Sequence, residues 1–139
     1  MTRAKCSKRT VLYFGGFRLI PTCDIWHTRR MKMTGFPLST TDWAQVVPSE
    51  HPGETGVARW KTQTFGEIRV RMVEYSTGYL ADHWCSKGHV LLCLEGELET
   101  TLADGKSFTL TPGQSYQVAD GESSHRSATK TGAKLFIVD

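Results

Sequence analysis

From Ala58 onward the chain alternates apolar and polar residues with a period of two. Ala58, Trp60 and Thr62 alternate with Arg59, Lys61 and Gln63; Ile68, Val70 and Met72 alternate with Arg69 and Arg71. Successive side chains on a β-strand point to opposite faces, so each run predicts a half-buried strand. Residues 90–94 (Val-Leu-Leu-Cys-Leu) are apolar throughout, which predicts a strand covered on both sides. Leu98, Thr100 and Leu102 lead into Asp104-Gly105, a dipeptide that predicts a tight type I′ hairpin, and Phe108 and Leu110 form its return. Tyr75-Ser76-Thr77-Gly78, Pro112-Gly113, Asp120-Gly121 and Thr131-Gly132 predict turns around the short runs 116–118, 125–129 and 135–138.

Little helix is expected. Asp42 and Gln45 stand three apart like a capping box, but Val46-Val47-Pro48 stops any helix after one or two turns. Residues 50–54 (Glu-His-Pro-Gly-Glu) read as a solvated turn. Short strands spaced roughly eight to twelve residues apart imply an all-β sandwich or barrel. No internal repeat or second domain is visible. The 139-residue length suits one domain.

Charge divides the chain where the pattern does. Residues 1–30 hold seven basic groups and one acid, Asp24; the other 109 hold ten basic and thirteen acidic groups. The expected organisation is a basic, disordered N-terminal extension over residues 1–32 and a β-barrel domain over residues 33–139. The mildly acidic body argues against nucleic acid as a partner. No apolar run approaches the ~20 residues of a membrane helix. The run 11–20 is broken by Gly15, Gly16 and Arg18, unlike a secretory signal. Cys6 and Cys23 fall in the extension, leaving Cys85 and Cys93 in the body. On one extended strand these two lie ~25 Å apart, too far for a disulfide. Free thiols and a cytoplasmic location are expected.

The chemistry concentrates in residues 82–89, Asp-His-Trp-Cys-Ser-Lys-Gly-His. His83, Cys85 and His89 share odd parity, so an extended chain points two imidazoles and a thiol one way. A fold that returns His125 to them makes a four-ligand metal cluster. Singly, each has a structural alternative. His125 suits an exposed loop, Cys85 a small buried hydrophobe, and His89 a core histidine bonded to backbone. The joint spacing points to a metal. Asp82 is a candidate partner for a histidine ring.

These spacings resemble the two motifs of the cupin superfamily. Gly78 precedes His83, Cys85 stands where a second His is usual, His89 stands where a Glu is usual, and Gly96 closes the first motif. The second runs from Gly113 through Gly121 to His125, with Ala119 at the usual Pro. More narrowly, the chain resembles the DHCW-motif cupin fold proteins, although its order is Asp82-His83-Trp84-Cys85. The resemblance covers roughly residues 33–139. It implies an all-β fold, a single small cupin jelly-roll barrel with its metal in the wider end, and often a homodimer.

Exchanging a His and the Glu of the usual cupin set for Cys85 and His89 softens it to three nitrogens and a sulfur. That set favours Zn, with Fe, Ni or Cu behind it. Four protein ligands close a tetrahedral zinc site, whereas catalysis needs an open position. Three functions follow. The first is a cupin binding a divalent transition metal through His83, Cys85, His89 and His125. The second is a metal-dependent oxygenase or isomerase acting on a small organic substrate held in the barrel. The third is a metal-free barrel binding a ligand or partner, with runs 90–94 and 135–138 packing between subunits.

Overall fold

The alternating runs become strands in a computed structural model that describes residues 33–139; the extension expected over residues 1–32, with Cys6 and Cys23, lies outside the described residues. Among the described residues nine strands form: β1 (Ser49–Pro52), β2 (Val57–Phe65), β3 (Ile68–Tyr75), β4 (His89–Gly96), β5 (Leu98–Leu102), β6 (Ser107–Leu110), β7 (Ser115–Val118), β8 (His125–Ala128) and β9 (Ala133–Val138). All named pairings are antiparallel. One sheet runs β1-β2-β3-β9-β4-β7 and the other β6-β5-β8. No described helix is long and apolar enough to cross a membrane.

Register turns the sequence pattern into rows across the larger sheet. One row carries Trp60, Val73, Leu135 and Cys93, and the next carries Arg71, Ile137, Leu91 and Tyr116. Beyond them Arg69 and Asp139 exchange backbone hydrogen bonds of 2.6 and 2.9 Å. The same register sets His89 opposite Asp139. Odd positions of β3, β4 and β9 therefore share one face. That face holds the core: Val73, Leu91, Cys93, Leu135 and Ile137 are buried there, and Leu98 and Leu110 close it from the smaller sheet. Complete burial of one such side chain contributes about 1.5–3 kcal/mol.

Several local expectations change. In β3 the arginine at 71 faces inward with Val73 and Tyr75, while Val70 and Met72 take the other face. Residues 90–94 are covered on one side only, because Val90 is 51% exposed and Leu94 36%. The expected helix is a single turn, with Asp42 accepting from the backbone N–H groups of Ala44 and Gln45. Val47 and Pro48 leave it no room to propagate. Part of the expected 50–54 turn is the edge strand β1, where Glu50 pairs with Arg59 and the His51 ring stacks on Trp60 at 3.8 Å. The Asp-Gly hairpin holds three residues rather than two: Leu102 pairs with Lys106, and Gly105 takes φ +87°. A type I turn followed by a left-handed glycine builds that loop.

Candidate metal centre

Two sheets and one irregular segment supply the centre. After β3 the chain runs beside β8. Backbone bonds place Tyr79 opposite Thr129 and Ala81 opposite Ser127. Farther on, Cys85 N–H donates to the His125 carbonyl at 2.8 Å, and His125 N–H donates back to Cys85 at 2.9 Å. Between these rungs the 81–85 segment takes four steps where β8 takes two. The surplus bulges outward and bends at Asp82 and His83. A doubly hydrogen-bonded antiparallel pair brings side chains onto one face with Cα atoms ~5.5 Å apart. That rung is what joins the Cys85 thiol to His125.

His89 arrives from the opposite sheet. It opens β4 just after Gly88, which lies tight against the backbone of Ala119 and Asp120. Gly88 N–H donates to the Asp120 carboxylate at 2.7 Å, and Gly121 N–H to the Ser86 carbonyl at 2.9 Å. These bonds fix the point where the chain enters β4. The ligand atoms of Cys85, His89 and His125 all lie within 4.8 Å of one another.

His83 stands apart from this trio. Its side chain is 67% exposed, at the rim of the cavity, and its Nδ1 lies 2.6 Å from the Asp82 carboxylate. That contact holds Asp82 below the usual carboxylate range, with the hydrogen bond to His83 the largest cause. Parity failed at His83 because alternation holds only along a regular strand, and the bulge interrupts it. Trp84, on the same bulge, is 47% exposed. Cys93 is buried in the core, and both body cysteines are free thiols.

The ring nitrogens are arranged in a way that suits metal ligation. His125 is 3% exposed. Its Nδ1–H donates to the Ser123 carbonyl at 2.8 Å, which leaves Nε2 carrying a lone pair, buried and without a partner. The His89 Nε2 lies 2.8 Å from the Tyr116 hydroxyl, and its buried Nδ1 has no partner. One nitrogen of each ring is thus held while the other is free, the arrangement that orients ligating histidines. Burial, with help from His125 and Arg71, lowers the His89 pKa and favours the neutral ring a metal needs. Burial pushes the Tyr116 phenol far up, so it remains an uncharged hydroxyl.

The trio opens on a cavity of about 170 Å³. That is smaller than the ~300–1,000 Å³ of drug-sized sites, so it has room for a small molecule only. Its other walls include residues that the sequence did not single out for the site: Trp60, Arg71, Tyr75 and Asp139. The Asp139 carboxylate receives Arg69 Nε at 2.8 Å and Nη2 at 2.6 Å, and Arg71 Nη2 at 2.6 Å. Burial pushes this carboxyl up, but the two guanidiniums outweigh it and hold it below its ordinary value. A signal for Arg71 was present: it shares parity with Val73 and Tyr75.

No protein-family model matches the chain, and no curated protein matches it. Solved structures do. An RmlC-like cupin from Shewanella frigidimarina is 18% identical, with 73% of this chain and 89% of that one covered and a TM-score of 0.62. A predicted oxalate decarboxylase from Thermotoga maritima is 13% identical, with coverage of 72% and 96% and a TM-score of 0.63. Ectoine synthase from P. lautus is 17% identical, with coverage of 73% and 76% and a TM-score of 0.60. Identities this low speak to architecture alone. The chain has the cupin fold, a single small jelly-roll barrel in which each sheet supplies one histidine to the cluster.

Proposed function

We propose that this protein is a metal-binding cupin, in which Cys85, His89 and His125 hold one divalent transition metal and leave a position open toward the cavity. Two observations carry this reading together: the orphaned, buried Nε2 of His125, and ligand atoms of Cys85, His89 and His125 that lie within 4.8 Å of one another. One thiolate with two imidazoles favours zinc, with Fe, Ni and Cu behind it. His83 remains a candidate fourth ligand only if the bulge swings its ring inward. Bound metal would supply Lewis acidity to a small molecule in the cavity. Tyr116 orients His89, and the Ser123 carbonyl orients His125.

Elemental analysis with X-ray absorption, on protein made without added metal, tests this. About one equivalent of metal with a sulfur neighbour is expected, and Cys85→Ser and His125→Ala each lose most of it. Less than ~0.2 equivalents, unchanged after adding Zn, Fe or Ni, would leave the metal-free barrel as the better reading.

A second reading, a metal-dependent oxygenase or isomerase acting on a small organic substrate, is favoured by the three-ligand set. Catalytic zinc sites keep three protein ligands and one open position. Cobalt substitution separates the readings, because an open site changes its visible spectrum when azide is added and a closed one does not.

A homodimer is part of the same proposal. The outer face of the large sheet presents Val90 and Leu94, with partly buried Met72, Leu92 and Phe136 beside them. Light scattering on the intact protein tests it: twice the chain mass is expected, and Val90→Lys should halve that mass.

A further inference from the structure

Beside the trio, the cavity is lined by two residues that each carry a buried donor without a partner. Arg71 is 7% exposed, and its Nε is buried without a partner. Trp60 Nε1 is likewise buried and unpartnered, and the Arg71 guanidinium lies 4.6 Å above the Trp60 ring. Both residues line the cavity that holds Cys85, His89 and His125. A buried donor left unsatisfied costs about 1–3 kcal/mol, so two in one small cavity call for an acceptor.

Asp139 does not fill that role. Arg69 already grips both of its oxygens, and Arg71 reaches it with Nη2 alone. The side chains lining the cavity include three cations, Arg69, Arg71 and Lys87, against the one carboxylate of Asp139. The Glu54 carboxylate is occupied by Arg126, and Asp82 faces His83. The cavity therefore combines a buried guanidinium and two N–H groups without partners with two lone-pair nitrogens and a thiol.

We infer that the cavity binds a small carboxylate, its anionic group on Arg71 and the Trp60 N–H and its other end toward the Cys85–His89–His125 cluster. The acceptor must be compact, anionic and rich in oxygen; a carboxylate on a body of a few carbons meets all three within about 170 Å³. This deepens the metal-binding proposal, which supplies one of the two anchors. The Arg71–Trp60 end stands on its own donors.

The test follows the Trp60 indole N–H in nitrogen–proton correlation spectra of zinc-loaded and metal-free protein. Its resonance is assigned by its absence in Trp60→Phe. Sodium lactate is titrated at constant ionic strength, with neutral lactamide of the same shape as control. Lactate should move the resonance saturably and lactamide should not. Arg71→Gln should weaken lactate by roughly tenfold or more at unchanged zinc content, the scale of one charged hydrogen bond. Where Arg71→Gln does not fold, the Nε–H of Arg71 in the unaltered protein gives the same answer, because lactate must move it too. Equal responses to lactate and lactamide, or no response at either N–H, would overturn the inference. Failure to load zinc alongside a saturable lactate shift in the metal-free protein would sink the metal reading and leave the carboxylate site standing.

Discussion

Val73, Leu135 and Cys93 form one row across the inner sheet face; two rows along the same strands stand Arg69, Asp139 and His89. The first row is largely dry and apolar, with Val73 at 2% exposure and Leu135 and Cys93 at zero. The second is charged and opens onto the cavity. Nothing in the strand geometry separates them, since pairing and parity are common to both. What differs is how each group is satisfied. The apolar row gains from burial itself. Side chains at the polar end are buried at a penalty that only partners offset, and the unpartnered nitrogens of His89, His125, Arg71 and Trp60 mark where the chain alone does not supply them. One end of the barrel contributes stability and the other holds the candidate site.

That division can be broken from either side. Leu135→Ala should have the largest effect on folding, about 2–5 kcal/mol in urea unfolding, while the metal held per folded molecule stays the same. Gly88→Ala should cost about 1–3 kcal/mol. Its new Cβ meets the Asp120 backbone nitrogen at 2.7 Å, so it should also lower metal content by displacing His89. Tyr116→Phe should do the reverse of Leu135→Ala. Metal affinity should fall roughly tenfold by competition with a chelator, as it does when a bond orienting a ligand is lost, and the urea midpoint should fall by less than in Leu135→Ala.

The smallest effect is a pH dependence in the metal-free protein. The folded His89 pKa lies below its ordinary 6.5. As pH falls below 6.5, the unfolded chain takes up this proton first, so stability declines and then levels off once the folded ring is also protonated. Urea midpoints between pH 7.5 and 5 should show this slope, and His89→Gln should flatten it. A slope unchanged by that substitution would separate His89 from the effect.

Much of this was legible in the sequence. Strong alternation and turn dipeptides located most of the strands, because periodicity and turn chemistry are local properties. The cupin motifs pointed to the jelly roll and to the segment from which Cys85, His89 and His125 converge. His83 misled because a bulge arises between two strands and leaves no trace in one of them. The polar wall was hidden for a related reason. Arg69 and Arg71 alternate with Ile68, Val70 and Met72, which reads as arginines outward, yet β3 turns Arg71 in beside Val73. An amphipathic pattern identifies two faces. Only the neighbouring strands decide which one is the interior.

The paired backbone rung between Cys85 and His125 bears on timing. Forty positions apart in the chain, these residues are clamped by main-chain bonds that involve neither sulfur nor imidazole. On the metal-binding proposal, the barrel should therefore fold before any ion arrives, unlike small zinc modules that remain unfolded until loaded. Capture would then demand little reorganisation, and stripping the ion with a chelator should leave an intact, reloadable vessel rather than a denatured chain.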